Sequence, residues 1–279
     1  MADERQASLD RWETMAAGWK ATRATFQHIV EPVSRWMVDA IRPQPGHRIL
    51  ELAAGLGDTG LLAAERVGPD GSVLITDGTE GMVAAARERV EEVGATNVEL
   101  RTMQAEWIDL SAASVDGVLC RFGYMLLVDP EAALRETRRV LKPGGRVALA
   151  VWDALEHNPW MGVIRQALVD SGVAPAAVPD GPGPFSLGSP DAVRELLDTT
   201  GFDDVEVQPL DLSVDFPSVD AWWDHVMLTS GTTVELVRTL SPADHYRLRE
   251  RVDAGYAPYV RDDGSLDVPA RALVAAATA

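Results

Sequence analysis

Glu51, Gly55, Gly57, Gly60 and Asp77 are the residues of this 279-residue chain whose types and spacing point most directly to a ligand. The three glycines satisfy G-x-G-x-x-G, and Asp77 follows about twenty residues on, as in a dinucleotide site. Glycine is needed where a backbone takes positive φ or lies against a ligand, and a helix start offers unpaired N–H groups. A carboxylate at Asp77 can accept hydrogen bonds from both hydroxyls of a ribose. Glu51 departs from the dinucleotide pattern. It closes the strand, and Leu52, Ala53 and Ala54 intervene before Gly55. A carboxylate in that place suits a ligand with a positive end better than a pyrophosphate, because like charges a few ångströms apart repel.

Other chemistry-bearing residues are scattered. His28 and His157 are candidate general bases, since an unperturbed imidazole takes up a proton near neutral pH. Cys120 lies within a strand with no histidine fixed beside it, which makes it a small strand residue rather than a nucleophile. The five histidines show no H-x-x-x-H spacing, so no essential metal is expected.

Positioning these residues calls for alternating strands and helices. Arg48 to Leu52 is an apolar strand, and Leu61, Leu62, Ala64 and Val67 then recur with helical spacing. Ser72 to Thr76 forms a second strand ending at Asp77. Thr79 is placed to cap a helix with Met82, Val83, Ala86 and Val90 on its apolar face and Gly94 as its stop. Val98 to Arg101, Val115 to Cys120 and Arg146 to Val151 follow as strands three to five, with a helix started by Asp129-Pro130 and ended by Pro143-Gly144-Gly145. Such alternation implies parallel pairing and right-handed crossovers.

Before the first strand, Leu9, Trp12, Ala16 and Trp19 share one helical stripe. Val33, Trp36, Met37 and Ala40 share another after Pro32, with His28 between the two. Residues 171–190 hold five Pro and four Gly, and read as a loop or a lid. A sixth strand, Val205 to Val214, is expected with a bulge near Pro209, and a seventh at Arg271 to Ala275. The helical residues between them form a cap, from which Trp222 and His225 are candidates to line a pocket.

The run ILELAAGLGD resembles the first motif of class I S-adenosylmethionine-dependent methyltransferases, particularly the ubiquinone and menaquinone biosynthesis type and its small-molecule relatives. VLITDGTEGMVAAARERV, TMQAEWIDL and VDGVLCRFGYMLLVDPEAALRETRRVLKPGGRVALAVW are similar to that family's later segments, in order. S-adenosylmethionine carries a sulfonium and an ammonium, which answers the charge argument at Glu51. The resemblance implies a Rossmann-like α/β fold: a seven-stranded sheet, the last strand antiparallel, with helices on both faces, N-terminal helices and the C-terminal helical cap. One domain is expected over 1–279, with N-terminal helices in 1–44, a cofactor core in 45–152 and substrate-side elements in 153–279.

The resemblance implies, for the cofactor, Glu51, Ala53, Gly55 and Gly57 at the methionine end and Asp77 and Gly78 at the ribose. Gln104, Ala105, Glu106 and Trp107 would frame the adenine, and Cys120 and Arg121 end the fourth strand. The family often has Asp where Gln104 stands, and an amide oxygen can accept the same bond. Met82 touches the adenine or fills the core, and Trp107 stacks or fills a gap. Trp19, Phe122, Tyr124, Trp160, Trp222 and His225 are expected around the methyl acceptor, a small apolar or aromatic molecule methylated on oxygen or carbon. A nicotinamide-dependent oxidoreductase and a non-catalytic S-adenosylmethionine-binding protein remain alternatives.

A net charge of −18 argues against nucleic acid as substrate, because phosphate binding draws on clustered Lys and Arg. One cysteine forms no internal disulfide, and no apolar run reaches membrane-spanning length, so a cytoplasmic protein with no membrane partner is expected. A homodimer is one state open to such a chain, and the residues leave the oligomeric state undecided.

Overall fold

The computed structural model describes residues 2–177 and 181–279. Seven strands form one sheet in the order β3-β2-β1-β4-β5-β7-β6. They are β1 (Arg48–Glu51), β2 (Ser72–Asp77), β3 (Val98–Thr102), β4 (Val115–Arg121), β5 (Leu141–Trp152), β6 (Asp203–Phe216) and β7 (Leu266–Thr278). The first five pair in parallel, and β7 runs antiparallel between β5 and β6. The inner strands are buried on both faces, as Ile49, Leu50, Val118, Leu119, Val147 and Leu149 show, so their sequences read as continuous apolar runs.

The chain steps outward from β1 to β3, then returns to the centre and steps the other way through β4 and β5. Right-handed crossovers therefore place α3 (Asp58–Val67) and α4 (Glu80–Val93) on one face and α5 (Pro130–Val140) on the other. The reversal between β1 and β4 leaves a crevice at the carboxyl ends of the strands, where open α/β sheets bind ligands.

Two helices precede the sheet, α1 (Ala2–Ala21) and α2 (Arg23–Ala40). The second runs unbroken through Pro32, so His28, which the spacing puts between the two apolar stripes, sits on the second helix. Ile29, Val30, Val33, Met37 and Val38 are buried on either side of the proline, and this packing holds the helix together across the missing N–H. Beyond β5 come α6 (Pro159–Asp170) and α7 (Pro190–Thr199). The expected cap between β6 and β7 is three helices, α8 (Val219–Thr229), α9 (Gly231–Arg238) and α10 (Pro242–Tyr256). Asp129, Ser189 and Ser241 cap their helices by accepting the backbone N–H of Ala132, Ala192 and Asp244.

Four local readings are corrected. Thr79 occupies the N-cap position, but its hydroxyl bonds Asp77 Oδ1 and not the helix. The register shift in β6 lies between Asp203 and Glu206, whereas Pro209 pairs in register with Leu273. Proline is tolerated there because β6 is an edge strand whose outer N–H side needs no partner. β7 begins at Leu266, not Arg271. The Pro143-Gly144-Gly145 run lies within β5, the helix before it having ended at Val140. Within 171–190, residues 178–180 fall outside the described residues; Gly183 and Ser186 bond the carbonyl of Met125.

Candidate active site

The loop after β1 is stitched to both neighbouring strands. Leu52 N–H donates to Leu119 O at 2.8 Å and Ala54 N–H to Thr76 O at 2.9 Å. Between these anchors Ala53 takes a φ of +47°, a left-handed conformation that costs an alanine free energy. The three glycines serve three different needs. Gly55, at φ +56°, has open space where a side chain would stand, so a ligand can lie against that face, while its N–H is taken up by Asp77. Gly57, at φ +77°, precedes α3, and Gly60 lies so close to Ile75 and the Glu51 carboxylate that any Cβ would overlap them.

Glu51 lies beneath this loop and is almost wholly buried. Gly60 N–H donates to its Oε2 at 2.9 Å. Burial pushes its carboxyl up to about 8, against the opposing pull of the Arg121 guanidinium and the Gly60 amide. Arg121 ends β4 but turns toward α2, where its Nη1 donates to Gln27 Oε1 at 2.9 Å and Ser34 Oγ at 2.8 Å. Arg23 pairs with Asp58 at the start of α3, and Ser34 Oγ lies 3.2 Å from Thr59 Oγ1. The loop thus rests on a buried charged network anchored in α2. Sequence reading missed Arg23, Gln27, Ser34 and Asp58 in it. The available signal was Asp58 itself, an acid beside the glycine loop in need of a cation, with Arg23, Gln27 and Ser34 on one helical face.

Asp77 ends β2 and closes the next side of the crevice. Its Oδ2 accepts Gly55 N–H at 2.9 Å, and its Oδ1 accepts Thr79 N–H and Thr79 Oγ1 at 3.1 Å each. Burial raises its carboxyl above the usual range while these amides pull it back. After β3, Gln104 presents a buried Oε1 with no protein partner. Ala105 and Met82 are buried, the latter in a cluster with Ala16, Leu56 and Ala85. Glu106 is buried and receives Arg5 Nε at 3.2 Å, while Trp107 is 58% exposed under the same guanidinium, 4.4 Å from its ring centre.

Arg5 belongs to α1, which crosses the whole edge. Leu9 crowds Gly78, Glu13 Oε2 accepts Gly81 N–H at 2.9 Å, and Trp12 and Trp19 pack on the cluster around Leu56. These contacts were not foreseen beyond the apolar stripe of α1, because polar staples leave no periodic trace.

On the β4 and β5 side lies an aromatic cluster, with Phe122 and Trp152 buried in the core and Trp160 partly buried against them. Phe122, at φ +59°, stacks on Trp152 at 4.3 Å and 12°, and Trp160 meets Trp152 edge-on at 5.1 Å. Trp160 Nε1 donates to Asn158 Oδ1. Asn158 is fully buried, bonding the carbonyls of Asp153 and Arg271 and the amide of Arg271, and so fixes this loop against β7. His157 Nδ1 lies 2.8 Å from the buried Asp153 carboxylate, with its side chain 44% exposed. His28 is 72% exposed and 3.8 Å from Asp215.

Three sequence-based expectations fail on geometry. Tyr124 is wholly enclosed, its hydroxyl 2.7 Å from Thr137 Oγ1, so it belongs to the core under α5. Trp222 is likewise enclosed, 4.5 Å from Tyr256, and packs α8 against α10. The Cys120 thiol is buried beneath Gly123 and Ala53, with burial pushing it up to about 12, so no side-chain role toward a cofactor is left to it. His225 and Trp19, by contrast, face one another with ring centres 6.5 Å apart.

The buried acceptor on Gln104, the carboxylate of Asp77 and the open backbone at Gly55 fit an adenosine with a charged tail. Comparison with known proteins agrees. Residues 49–145 match the family model described as "Methyltransferase domain". An arsenite methyltransferase of Halobacterium salinarum is 33% identical over 174 residues, 62% of this chain and 42% of that one, so the chain spans less than half of that relative. Nocamycin O-methyltransferase of Saccharothrix syringae is 32% identical over 71% of this chain and 74% of its own length. Among solved structures, the YcgJ protein of the Bacillus species has the same fold, with a TM-score of 0.61 at 18% identity over 88% of this chain and 97% of that one. Nothing here supports a nicotinamide enzyme, and the chain belongs to the class I S-adenosylmethionine-dependent methyltransferases.

Proposed function

We propose that this methyltransferase acts on an oxygen or an acidic carbon of a small, planar, apolar acceptor. The observation that carries this reading is the Phe122, Trp152 and Trp160 cluster at the carboxyl ends of β4 and β5, next to the cofactor crevice. Aromatic faces at a crevice favour flat apolar ligands through offset and edge-on packing. When bound, S-adenosylmethionine supplies an electrophilic methyl group.

The chain's own residues then have separable tasks. The open backbone face at Gly55 receives the methionine end, the Gly55 and Gly57 N–H groups being given to Asp77 Oδ2 and Ala54 O, and Glu51 acts on it through the α3 start, because its carboxylate is already bonded to Gly60 N–H. Asp77 binds the ribose, and Gln104 to Trp107 frame the adenine, with Gln104 Oε1 accepting from the amino group. His157 serves as base for a hydroxyl acceptor. Asp153 holds its Nδ1, which leaves Nε2 to take the proton. His28, exposed on α2, is a bystander. Closure of α1 over the edge excludes water from the transfer.

Arsenite fits this chain poorly as an acceptor. Trivalent arsenic is a soft centre that seeks thiolates, and the one cysteine is buried and protonated. The acidic composition, at −18, supports a small-molecule substrate over nucleic acid. Among the described residues no helix is long and apolar enough to cross a membrane. With a single free cysteine, this supports the inference of a cytoplasmic enzyme.

The test is turnover of phenols and quinols with S-adenosylmethionine. His157→Ala is expected to lower kcat by about 10²-fold, the scale of general base catalysis, with S-adenosylhomocysteine affinity unchanged. His28→Ala is expected to leave both unchanged. Full turnover by the His157 variant would remove the base.

A further inference from the structure

At the amino-terminal edge of the sheet, opposite the cofactor crevice, lies a cavity of about 350 Å³. The strand order sets its lining in a row: His47 just before β1, Asp116 in β4, Arg146 in β5, Thr278 at the end of β7 and Asp204 in β6. Arg42 joins them from the end of α2. The Asp116 carboxylate is already engaged, its Oδ2 accepting Arg48 N–H at 2.9 Å and its Oδ1 accepting Lys142 Nζ at 2.7 Å. Burial works against its charge, but the Arg48 amide and Lys142 outweigh burial and hold the carboxyl below its usual range. The cations have no acid to answer them. Arg146 donates Nε to Ala40 O at 2.8 Å and Nη1 to Thr278 Oγ1 at 3.4 Å, two neutral acceptors, which leaves Nη2 unused. The Arg42 side chain has no partner among the described residues. His47 Nδ1 accepts Gln44 N–H at 3.2 Å, so the proton of the neutral ring sits on Nε2, which also has no partner among them.

A guanidinium N–H and an imidazole N–H only donate, so what fills the cavity must accept. In a chain of net charge −18, two arginines without a carboxylate beside one cavity run against the character of the whole surface. Cleft walls of low dielectric concentrate such charge on a ligand. Arg42 and Asp204, each at φ +50°, are left-handed non-glycine residues, as are Ala53 and Phe122 at the cofactor crevice, and conformations of this kind collect at ligand sites. We propose that the cavity binds the phosphoryl group of a small, soluble phosphate monoester, held by Arg42, Arg146 Nη2 and His47 Nε2. Planar guanidinium forks match the oxygens of phosphate, and donors from three elements answer three oxygens, where a carboxylate offers two. Apart from Ile41 the lining is polar or glycine, which gives a lipid tail no surface to lie on. Asp204 is exposed and has no partner among the described residues, and its charge opposes the anion.

The experiment titrates the full chain with inorganic phosphate by calorimetry at physiological salt, which screens loose surface attraction. It is run once on the free protein and once on protein saturated with S-adenosylhomocysteine. Wild type is expected to bind phosphate equally in both, and to bind acetate about tenfold more weakly. Arg42→Gln is expected to weaken phosphate about tenfold, the equilibrium equivalent of one charge-assisted hydrogen bond. Asp204→Asn is expected to strengthen it about two- to fivefold, the range for one exposed charge. Neither side chain has a protein partner among the described residues, so thermal melts are expected to show both variants folded as wild type is. No phosphate binding by wild type, or an affinity unchanged in Arg42→Gln, would overturn the site. Displacement of phosphate by S-adenosylhomocysteine would also overturn it, placing the anion at the glycine loop and the start of α3 instead. Equal affinity for acetate and phosphate would overturn the phosphoryl assignment.

Discussion

Glu51 is the residue whose environment makes the sharpest demand on solution behaviour. An acid held above its ordinary value in the folded chain binds its proton more tightly there than when unfolded. Its contribution therefore favours folding most below about 4.5, the ordinary value of a glutamate carboxyl, and loses ground as pH rises to about 8, above which both states are ionised. Glu51→Gln keeps an oxygen for Gly60 N–H but does not titrate. Its Tm relative to wild type is expected to improve by several degrees between about pH 5 and pH 8, given 2–4 °C per kcal/mol at this size. Thermal melts of the two proteins across that range check it. A constant difference at all pH values would show that Glu51 is ionised throughout, with Arg121 outweighing burial. The strand-end places of Glu51 and Asp77 and the turn conformations of Gly55 and Gly57 were legible in the sequence, because each is fixed by local backbone chemistry. The surroundings of Glu51 were not, since Arg121 comes from β4 and is itself held by Gln27 and Ser34 of α2, elements far apart in the chain that meet only after folding.

At the level of elements, α1 is held by contacts that admit no bulk. Gly18 lies against the Leu228 carbonyl of α8 so closely that a Cβ would overlap it. Gly18→Ala is expected to push α1 off the cap, costing about 1–3 kcal/mol, the usual penalty of overpacking. Alanine is the better helix former, so propensity alone predicts the opposite sign. Chemical denaturation checks it, and an unchanged or raised midpoint would mean that α1 does not dock as described. Regular elements with a strong apolar period, such as β1, β2, α4 and α5, were readable from sequence, as was the capping residue Asp129. The continuation of α2 through Pro32 and the start of β7 at Leu266 were not. Each is settled by tertiary contact: the first by burial against the sheet, the second by pairing of β7 with β6 along its whole length.

For the molecule as a whole, the proposed cofactor and acceptor sides are divided along the chain. The proposed cofactor crevice lies at the ends of β1 to β4, where family motifs crowd, and the proposed acceptor side draws on the loop after β5. This division explains why one half of the candidate site could be named from sequence and the other only listed. Tyr124 and Trp222 look like pocket residues by type and position, yet both fill cores, whereas Phe26 and Phe216 carry no motif and reach the rings of Trp19 and His225 by packing alone. The outer edge strand, β6, bears Asp203, Asp204, Glu206, Asp211, Asp215 and Pro209, and such residues discourage edge-to-edge pairing. A homodimer, if the chain forms one, is expected to use another face.

The central claim is that S-adenosylmethionine sits in the crevice closed by Gly55, Asp77 and Gln104. Calorimetric titration of wild type and Asp77→Ala with S-adenosylhomocysteine, with NADH as the comparison ligand, tests it most directly. Wild type is predicted to bind S-adenosylhomocysteine and not NADH. Asp77→Ala is predicted to weaken binding by roughly 1–3 kcal/mol, the range for removing a partner from buried polar groups, with Asp77→Asn falling between the two. Unchanged affinity in Asp77→Ala would contradict the ribose assignment, and binding of NADH alone would contradict the cofactor itself.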